Sequence, residues 1–366
     1  LGFFVWGRGG GSTVSASMDL TGFLPGELVG YRVGSDRDGW SGDQSFNVQP
    51  PPGGTIRMVA FGDLGTFSGD GSHEMCEAKA SLATTRNILD HLQDTDLVLH
   101  IGDISYAKGY ASVWDSFFHQ ISPISQRIPW MVGIGNHERD WPGSGSAVGA
   151  HDSGGECGVP YAAKFRMPDP SPGAVRGSLE GLVKDTPWYG FDFGSVHVSV
   201  LSSEHDPEAQ VGWLREDLAH ARVGRAAWLV VAVHRPLYVS AFPANKKVEK
   251  EGLVLRAAWE KAMQEGGVDV VLVGHHHSYQ RSCPIINGNC SQGGVGIVHV
   301  VAGMAGKTST PVVPQPGPHP YGPLWERVDS EHHGYGLVSA NASHFVWEYY
   351  RNDGVLFDSF VLHRGG

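Results

Sequence analysis

The sequence predicts a mixed α/β layered fold, and three observations carry that prediction. From residue 55 onward, short apolar runs rich in β-branched residues alternate with stretches of helical periodicity, as in strands covered by helices. The last part of the chain then becomes mostly strand-like. Five of the apolar runs also stop at a small group of aspartate, asparagine or histidine residues, so polar chemistry is delivered repeatedly to strand ends. With 366 residues, 41% of them hydrophobic and 18% charged, the chain can bury a sizeable core in one large domain or two.

Pieces at 15–20, 22–26, 28–33, 39–42 and 45–48 read as short strands separated by turns. They are too short to close a sandwich, so residues 1–48 read as the last strands of a small β domain truncated at its start. Residues 49–54, Gln49-Pro50-Pro51-Pro52-Gly53-Gly54, form a linker, and 55–366 a second, larger domain. There a strand at 56–61 leads to a helix at 74–93 whose apolar stripe is Leu82, Ile88, Leu89 and Leu92. A strand at 96–101, a helix at 112–122 and a strand at 128–134 come next. After a glycine-rich insertion come an antiparallel pair at 188–193 and 196–201 and a helix at 209–222, with Val211, Leu214, Leu218 and Ala221 on one face. A strand at 226–233, a helix at 253–264 and a strand at 268–273 complete the alternation. Strands at 295–302, 336–340, 345–350 and 355–361 finish the chain, and the Pro-rich span 310–323 is a loop.

The formal net charge of -11, with no clustered Lys/Arg face, argues against nucleic acid or an anionic membrane as partner. No apolar stretch reaches the roughly 18 to 20 residues that a membrane helix needs. The chain begins at Leu1 without a visible signal peptide and reads as a fragment or processed form. Cys283 and Cys290 bracket the turn Ile286-Asn287-Gly288-Asn289, which suits a local hairpin disulfide; the pairing of Cys76 and Cys157 stays open. Asn289 and Asn341 head glycosylation sequons. Together these features lean toward a secreted or endomembrane, vacuolar-type glycoprotein.

The chemistry lies in the residues at the end of each apolar run: Gly62-Asp63-Leu64-Gly65, Gly102-Asp103-Ile104-Ser105-Tyr106, Gly135-Asn136-His137-Glu138, Val233-His234 and Gly274-His275-His276-His277. Alone, the histidine triplet is either a solvated polar loop or a site in which the alternate residues His275 and His277 face one metal. A lone Gly-Asp after a strand is more often a turn or helix cap than a ligand. Five such endings are hard to explain by turn chemistry, because the carboxyl ends of neighbouring parallel strands feed one crevice. A preceding glycine lets the backbone turn sharply and approach an ion. Carboxylate, amide oxygen, phenol and imidazole, without thiolate, suit hard or borderline ions, and seven such donors are too many for one. Two ions sharing a bridging carboxylate fit better. A phenol with an ordinary pKa of about 10 needs a strong Lewis acid to displace its proton, which makes Fe(III) the natural partner of Tyr106. Two aspartates, a phenolate and a hydroxide would still leave a trivalent–divalent pair with net positive charge, able to attract phosphate in an acidic protein.

The blocks GDLG, GDISY, GNHE, VAVH and GHHH resemble the five signature blocks of the purple acid phosphatases, within the metallophosphoesterase superfamily. YRVGSDRDGWS and the Pro-rich link after it resemble the end of the fibronectin-like N-terminal domain in the large plant-type members, and GNHERDWP, GGECGVPY, HRPLY and AGMAGK resemble the same branch. The resemblance covers nearly the whole chain. It implies a layered α/β/β/α metallophosphoesterase sandwich preceded by the remnant of a fibronectin-like β domain. It makes Asp63, Tyr106 and His277 ligands of the ferric ion, Asp103 the bridge, and Asn136, His234 and His275 ligands of a divalent ion, zinc, manganese or iron. His137 is placed near the leaving group as proton donor or phosphate partner, the alternative being a hydrogen-bonded histidine behind the ligands. His276 is expected to point away from the metals and Glu138 to be structural. The implied reaction is that of an acid phosphatase, in which hydroxide held by the metals attacks a phosphomonoester in line while His137 neutralises the leaving alkoxide. The implied partners are small phosphate esters, with a homodimer left open.

One departure stands out. Well-studied plant members carry a histidine pair shortly after the VxxH ligand that helps bind phosphate, whereas residues 235–244 contain no histidine. This motivates a second reading, phosphodiesters or nucleotide pyrophosphates at the same metals. Arg235 or Tyr238 are candidate substitutes, with a structural ion pair as the alternative for Arg235. The insertion at 140–160, with His151 and Glu156, and the histidines His319, His332 and His333 could build a specificity wall, a surface role being the plainer reading for each histidine. A non-catalytic binding protein is the third reading; it calls for a broken ligand set, and none is seen.

Overall fold

The computed structural model describes residues 22–68, 78–139, 152–168, 187–224, 226–240 and 246–364. The expected strand at 15–20, the start of the helix at 74–93, Cys76 and His151 lie outside these residues.

Near the start, β1 (Leu28–Tyr31) and β4 (Gln44–Asn47) pair antiparallel around a small hairpin of β2 (Gly34–Ser35) and β3 (Gly39–Trp40). The Tyr31 hydroxyl donates to the Gln126 carbonyl at 2.6 Å and ties this piece to the larger unit. There β5 (Ile56–Phe61), α1 (Ser81–Asp90), β6 (Leu97–Ile101), α2 (Ala111–Ser125) and β7 (Trp130–Gly133) alternate, followed by the short α3 (Val159–Lys164). A hairpin of β8 (Tyr189–Phe193) and β9 (Val196–Val200) leads to α4 (Glu208–Val223), β10 (Trp228–Val233), α5 (Lys246–Gly266) and β11 (Val270–Val273). The remainder is β12 (Tyr279–Ile286), β13 (Asn289–Cys290), β14 (Ile297–Ala302), β15 (Trp325–Asp329), β16 (Gly334–Ala340), β17 (His344–Arg351) and β18 (Leu356–His363).

These strands form two sheets. One runs β18-β17-β16-β5-β6-β7, with β5, β6 and β7 parallel. The other runs β13-β12-β14-β11-β10-β9-β8, with β15 added to β12 and β9, β10, β11 and β14 parallel. Side chains alternate across each strand, and the sandwich uses both faces. Met58, Ala60, Leu99 and Met131 pack against Val198, Val230, Leu272 and Val300 between the sheets. Val59, Phe61, Val98 and Val132 turn outward onto Ile88 of α1 and Trp114, Phe117 and Ile121 of α2. Leu229, Val231 and Val271 do the same beneath Leu214 and Leu218 of α4 and Trp259 and Met263 of α5. The result is the α/β/β/α sandwich, and among the described residues no helix is long and apolar enough to cross a membrane.

Three expectations are corrected. Leu82 is 43% exposed, because α1 turns Thr84 inward instead, where its hydroxyl bonds the Ala305 carbonyl at 2.5 Å. Strands β12 and β15 were not anticipated; β12 hides behind polar residues and Pro284, which sits where its pairing with β14 shifts register. The five site-bearing strand ends also belong to two sheets rather than one series of neighbours. Both sheets send the carboxyl ends of their parallel strands to the same rim, where the Gly62 N–H donates to the Ala302 carbonyl at 2.8 Å and the His275 N–H to Asp63 Oδ2 at 2.8 Å.

Candidate metal centre

Three of the five ligand-bearing loops leave their strands through left-handed turns. Asp63, Asp103, Tyr106 and His275 have φ of 62°, 49°, 55° and 66°, a region that side-chain-bearing residues seldom occupy. The strain therefore lies on the site residues themselves, and the glycines have a further use. A Cβ on Gly135 would lie 2.3 Å from Asp103 Oδ1, and one on Gly274 2.6 Å from Asp63 Oδ2. Each of these glycines clears room for a ligand borne by a different loop.

All seven predicted ligands are brought together, in two groups. In the first, the Tyr106 hydroxyl lies 3.0 Å from Asp63 Oδ1 and 3.1 Å from His277 Nε2. In the second, Asn136 Oδ1 lies 3.0 Å from His234 Nε2 and 2.8 Å from His275 Nδ1, and His234 Nε2 is 3.2 Å from Asp103 Oδ1. Donor atoms of Asp63, Asp103 and His277 lie within 4.8 Å of one another, as do those of Asp103, His234 and His275, so Asp103 is common to both. Backbone carbonyls aim two of the rings: His234 Nδ1 donates to Ile101 O at 2.9 Å and His277 Nδ1 to Thr308 O at 2.7 Å, turning each Nε2 inward. His275 is reversed, with Nδ1 inward and Nε2 3.2 Å from Arg235 Nη1 and 3.6 Å from Glu251 Oε2.

Charge in this site is balanced internally. Burial opposes ionisation of Asp103, but the His234 and His137 imidazoles outweigh it and hold the carboxyl well below its usual range. Burial likewise disfavours protonated His234, yet the carboxylates of Asp103 and Asp63 push its pKa up to about 10. The Tyr106 phenol is held above its usual value by burial and then by the charges of Asp63 and Asp103. Protons on imidazoles thus offset buried carboxylates, a role that cations can fill. Oxygen and imidazole donors in two groups sharing one carboxylate fit two hard or borderline ions.

The other candidates separate clearly. His137 donates its N–H to Asp103 Oδ1 at 2.9 Å, packs on the Tyr106 ring at 4.3 Å, and keeps its side chain 16% exposed at the edge of the site. His276 is buried and turned to Ser278 Oγ at 2.8 Å. Glu138 accepts the N–H groups of Asp103, Ile104 and Gly135 at 2.8 to 2.9 Å, which locks two ligand loops together. Arg235 is 1% exposed and paired with Glu204 at 2.6 Å and Glu251 at 2.8 Å, while the Tyr238 hydroxyl donates to Glu260 at 2.5 Å. Glu156 is buried rather than lining a wall, and accepts from Trp114 Nε1 at 2.9 Å and the Gly109 N–H at 3.1 Å. His333 donates to the Lys307 carbonyl at 2.9 Å, His332 lies 3.3 Å from Asp329, and His319 is exposed. Sequence reasoning missed Asp152, which accepts from Asn136 Nδ2 at 2.9 Å, and the Glu251 carboxylate beside His275. Neither comes directly after an apolar run, so no local signal marked them.

Comparison with known proteins then decides the family. The calcineurin-like phosphoesterase profile matches residues 56–279, and the profile of the iron/zinc purple acid phosphatase-like C-terminal region matches 296–359. The chain belongs to the purple acid phosphatases of the metallophosphoesterase superfamily. A nucleotide pyrophosphatase/phosphodiesterase of Hordeum vulgare is 33% identical over 348 residues, 89% of this chain and 88% of that protein. A probable inactive purple acid phosphatase 24 of Arabidopsis thaliana is 34% identical over 91% of this chain and 55% of its own length. The structure of a purple acid phosphatase from yellow lupin (Lupinus luteus) seeds matches with a TM-score of 0.82 at 33% identity, covering 93% of this chain and 60% of that one. This purple acid phosphatase chain thus spans little more than half the length of several relatives it matches.

Proposed function

We propose that this chain hydrolyses phosphate esters at a pair of metal ions. The observation that carries this reading is the Asp103 carboxylate shared between two complete donor groups. That completeness favours catalysis over non-catalytic binding, even though some relatives are named probable inactive. Asp63, Tyr106 and His277 would hold Fe(III), and Asn136, His234 and His275 a divalent ion, zinc, manganese or iron, with Asp103 serving both; the phenol of Tyr106 is the donor that supports iron. Such a pair, when bound, supplies Lewis acidity toward phosphoryl oxygens and makes water a stronger acid than in bulk. The chain's own residues do the rest. The His137 backbone N–H and His234 Nε2 both meet Asp103 at Oδ1, which fixes the carboxylate that the two donor groups share. His137 sits at the edge of the site with its side chain 16% exposed; its Nδ1 is buried, which leaves Nε2, 3.9 Å from Asp103 Oδ2, as the nitrogen to hand a proton to the leaving oxygen.

Phosphomonoesters are the first substrate class, since a net positive pair suits a dianion. A second class, phosphodiesters or nucleotide pyrophosphates, is favoured by the commitment of Arg235 and Tyr238 to Glu204, Glu251 and Glu260, which leaves neither to replace the missing histidine pair. The barley relative's name agrees with that class. Rates on a matched aryl monoester and diester, after loading with iron and zinc and recording the visible tyrosinate–iron band, test the proposal. Faster monoester hydrolysis supports the first class, and a large diester preference transfers the site to the second. Two bound ions with no hydrolysis of either ester would overturn catalysis. The Cys283–Cys290 disulfide and the exposed sequon residue Asn289 support a secreted or endomembrane glycoprotein, and the small paired strands before residue 48 support the remnant of a separate β domain.

A further inference from the structure

We propose that Asp152 is a positioning residue for Asn136 and thereby sets the affinity of the divalent ion. The inference rests on the dimetal reading above. The two ends of an asparagine amide have nearly the same shape, but only the oxygen can ligate a cation. Nδ2 can only donate, and it is the amide end that faces Asp152, whose Oδ2 accepts from it at 2.9 Å. Oδ1 is then left pointing at His234 Nε2, 3.0 Å away, and His275 Nδ1, 2.8 Å away. Turned the other way, the amide would present N–H groups to the ion and set its oxygen against a carboxylate.

Asp152 can impose this orientation because the segment that follows it is pinned at several points. A Cβ on Gly154 would lie 2.3 Å from the Lys108 carbonyl oxygen, so this backbone packs directly on the loop beyond Tyr106. Glu156 holds the same loop through the Gly109 N–H at 3.1 Å and reaches Trp114 of α2 at 2.9 Å. The Gly158 N–H then donates to the Glu138 carbonyl at 2.8 Å, beside Asn136 in the chain. The end of the glycine-rich insertion therefore bridges the loops that carry Tyr106 and Asn136 and delivers a carboxylate to the amide of the second. Partners that orient metal ligands in this way are worth about 10- to 100-fold in metal affinity.

Asp152→Asn keeps the side-chain size but can turn either its oxygen or its NH2 to Asn136, so the orientation of the ligand amide is no longer imposed. Zinc affinity by competition with a chelator, iron and zinc content, the visible band and the melting temperature should be measured for the parent chain, Asp152→Asn and Asp152→Glu. The expected result is zinc binding weakened about 10- to 100-fold in Asp152→Asn, with iron content, visible band and melting temperature kept and part of the affinity regained in Asp152→Glu. Zinc affinity within about twofold of the parent would overturn the inference, as would parallel loss of iron and of thermal stability. A parent chain that binds fewer than two ions would instead sink the dimetal reading itself, and this inference with it.

Discussion

His197 and His234 are both imidazoles buried against aspartates, yet their nitrogens are used differently. On the outward face of β9, His197 places Nδ1 2.8 Å from Asp192 and Nε2 2.9 Å from Asp217, and the Ser199 hydroxyl donates to Asp217 at 2.6 Å. Every nitrogen has its own acceptor. Burial lowers the affinity of this ring for a proton, but the two carboxylates prevail and raise its pKa to about 9. At the rim, His234 spends one nitrogen on a carbonyl and points the other at the Asn136 oxygen, which His275 also faces. Two ring nitrogens converge on one amide oxygen with the Asp103 carboxylate beside them, a cluster of donor atoms in which one cation can take the place of several protons. The contrast separates a buried salt bridge from a metal centre, although both are built from the same residue types.

The largest break in this contrast comes from Asp103→Ala. Removing the carboxylate common to both donor groups is expected to release both ions and to lower ester hydrolysis by ~1000-fold or more, read by metal analysis and initial rates. Normal hydrolysis by that variant would refute the bridge. Next comes Arg235→Met, which leaves Glu204 and Glu251 buried without their partner and is expected to cost about 3–5 kcal/mol in urea unfolding. A cost below ~1 kcal/mol would show that solvent reaches this group. The smallest effect is expected from His197→Gln, about 2 kcal/mol, with metal content unchanged. The folded pKa of His197, about 9, lies above its usual 6.5, so its contribution is complete below that value and fades as pH rises toward 9. The stability deficit of the variant should therefore be full at about pH 6 and vanish above about pH 9. A deficit independent of pH would mean that His197 acts by packing alone.

Much of the centre could be read from the sequence because its donors occur directly after apolar runs. Asp63, Asp103, Asn136, His234 and His275 are each within three residues of a strand end, so the strand text locates them. The elements that aim these donors were not legible. Ile101 and Thr308 act through backbone carbonyls, which carry no residue signature. Asp152 and Glu251 act from the end of an insertion and from a helix, 16 and 24 positions from the ligands they face, and nothing in chain spacing constrains such a distance. The fold shows the same division. Runs such as 228–233 announce themselves by an unbroken series of apolar residues, whereas β12 mixes Gln280, Arg281 and Ser282 with Pro284 and is held in place by strands on both sides. Partition of the strands between two sheets is a tertiary choice, made by which faces meet across the core.

The rim where the two sheets meet has a consequence for the unfolded chain. Asp63 leaves one sheet and His275 the other, and they touch although 212 positions separate them in sequence. Ions gripped at once by Asp63, Asp103, His234 and His277 would fasten these distant segments together and withdraw from the denatured ensemble the freedom of a very long loop. Such ions would also serve as a removable clasp, and acid or a chelator would act on this fold much as a reducing agent acts on a disulfide.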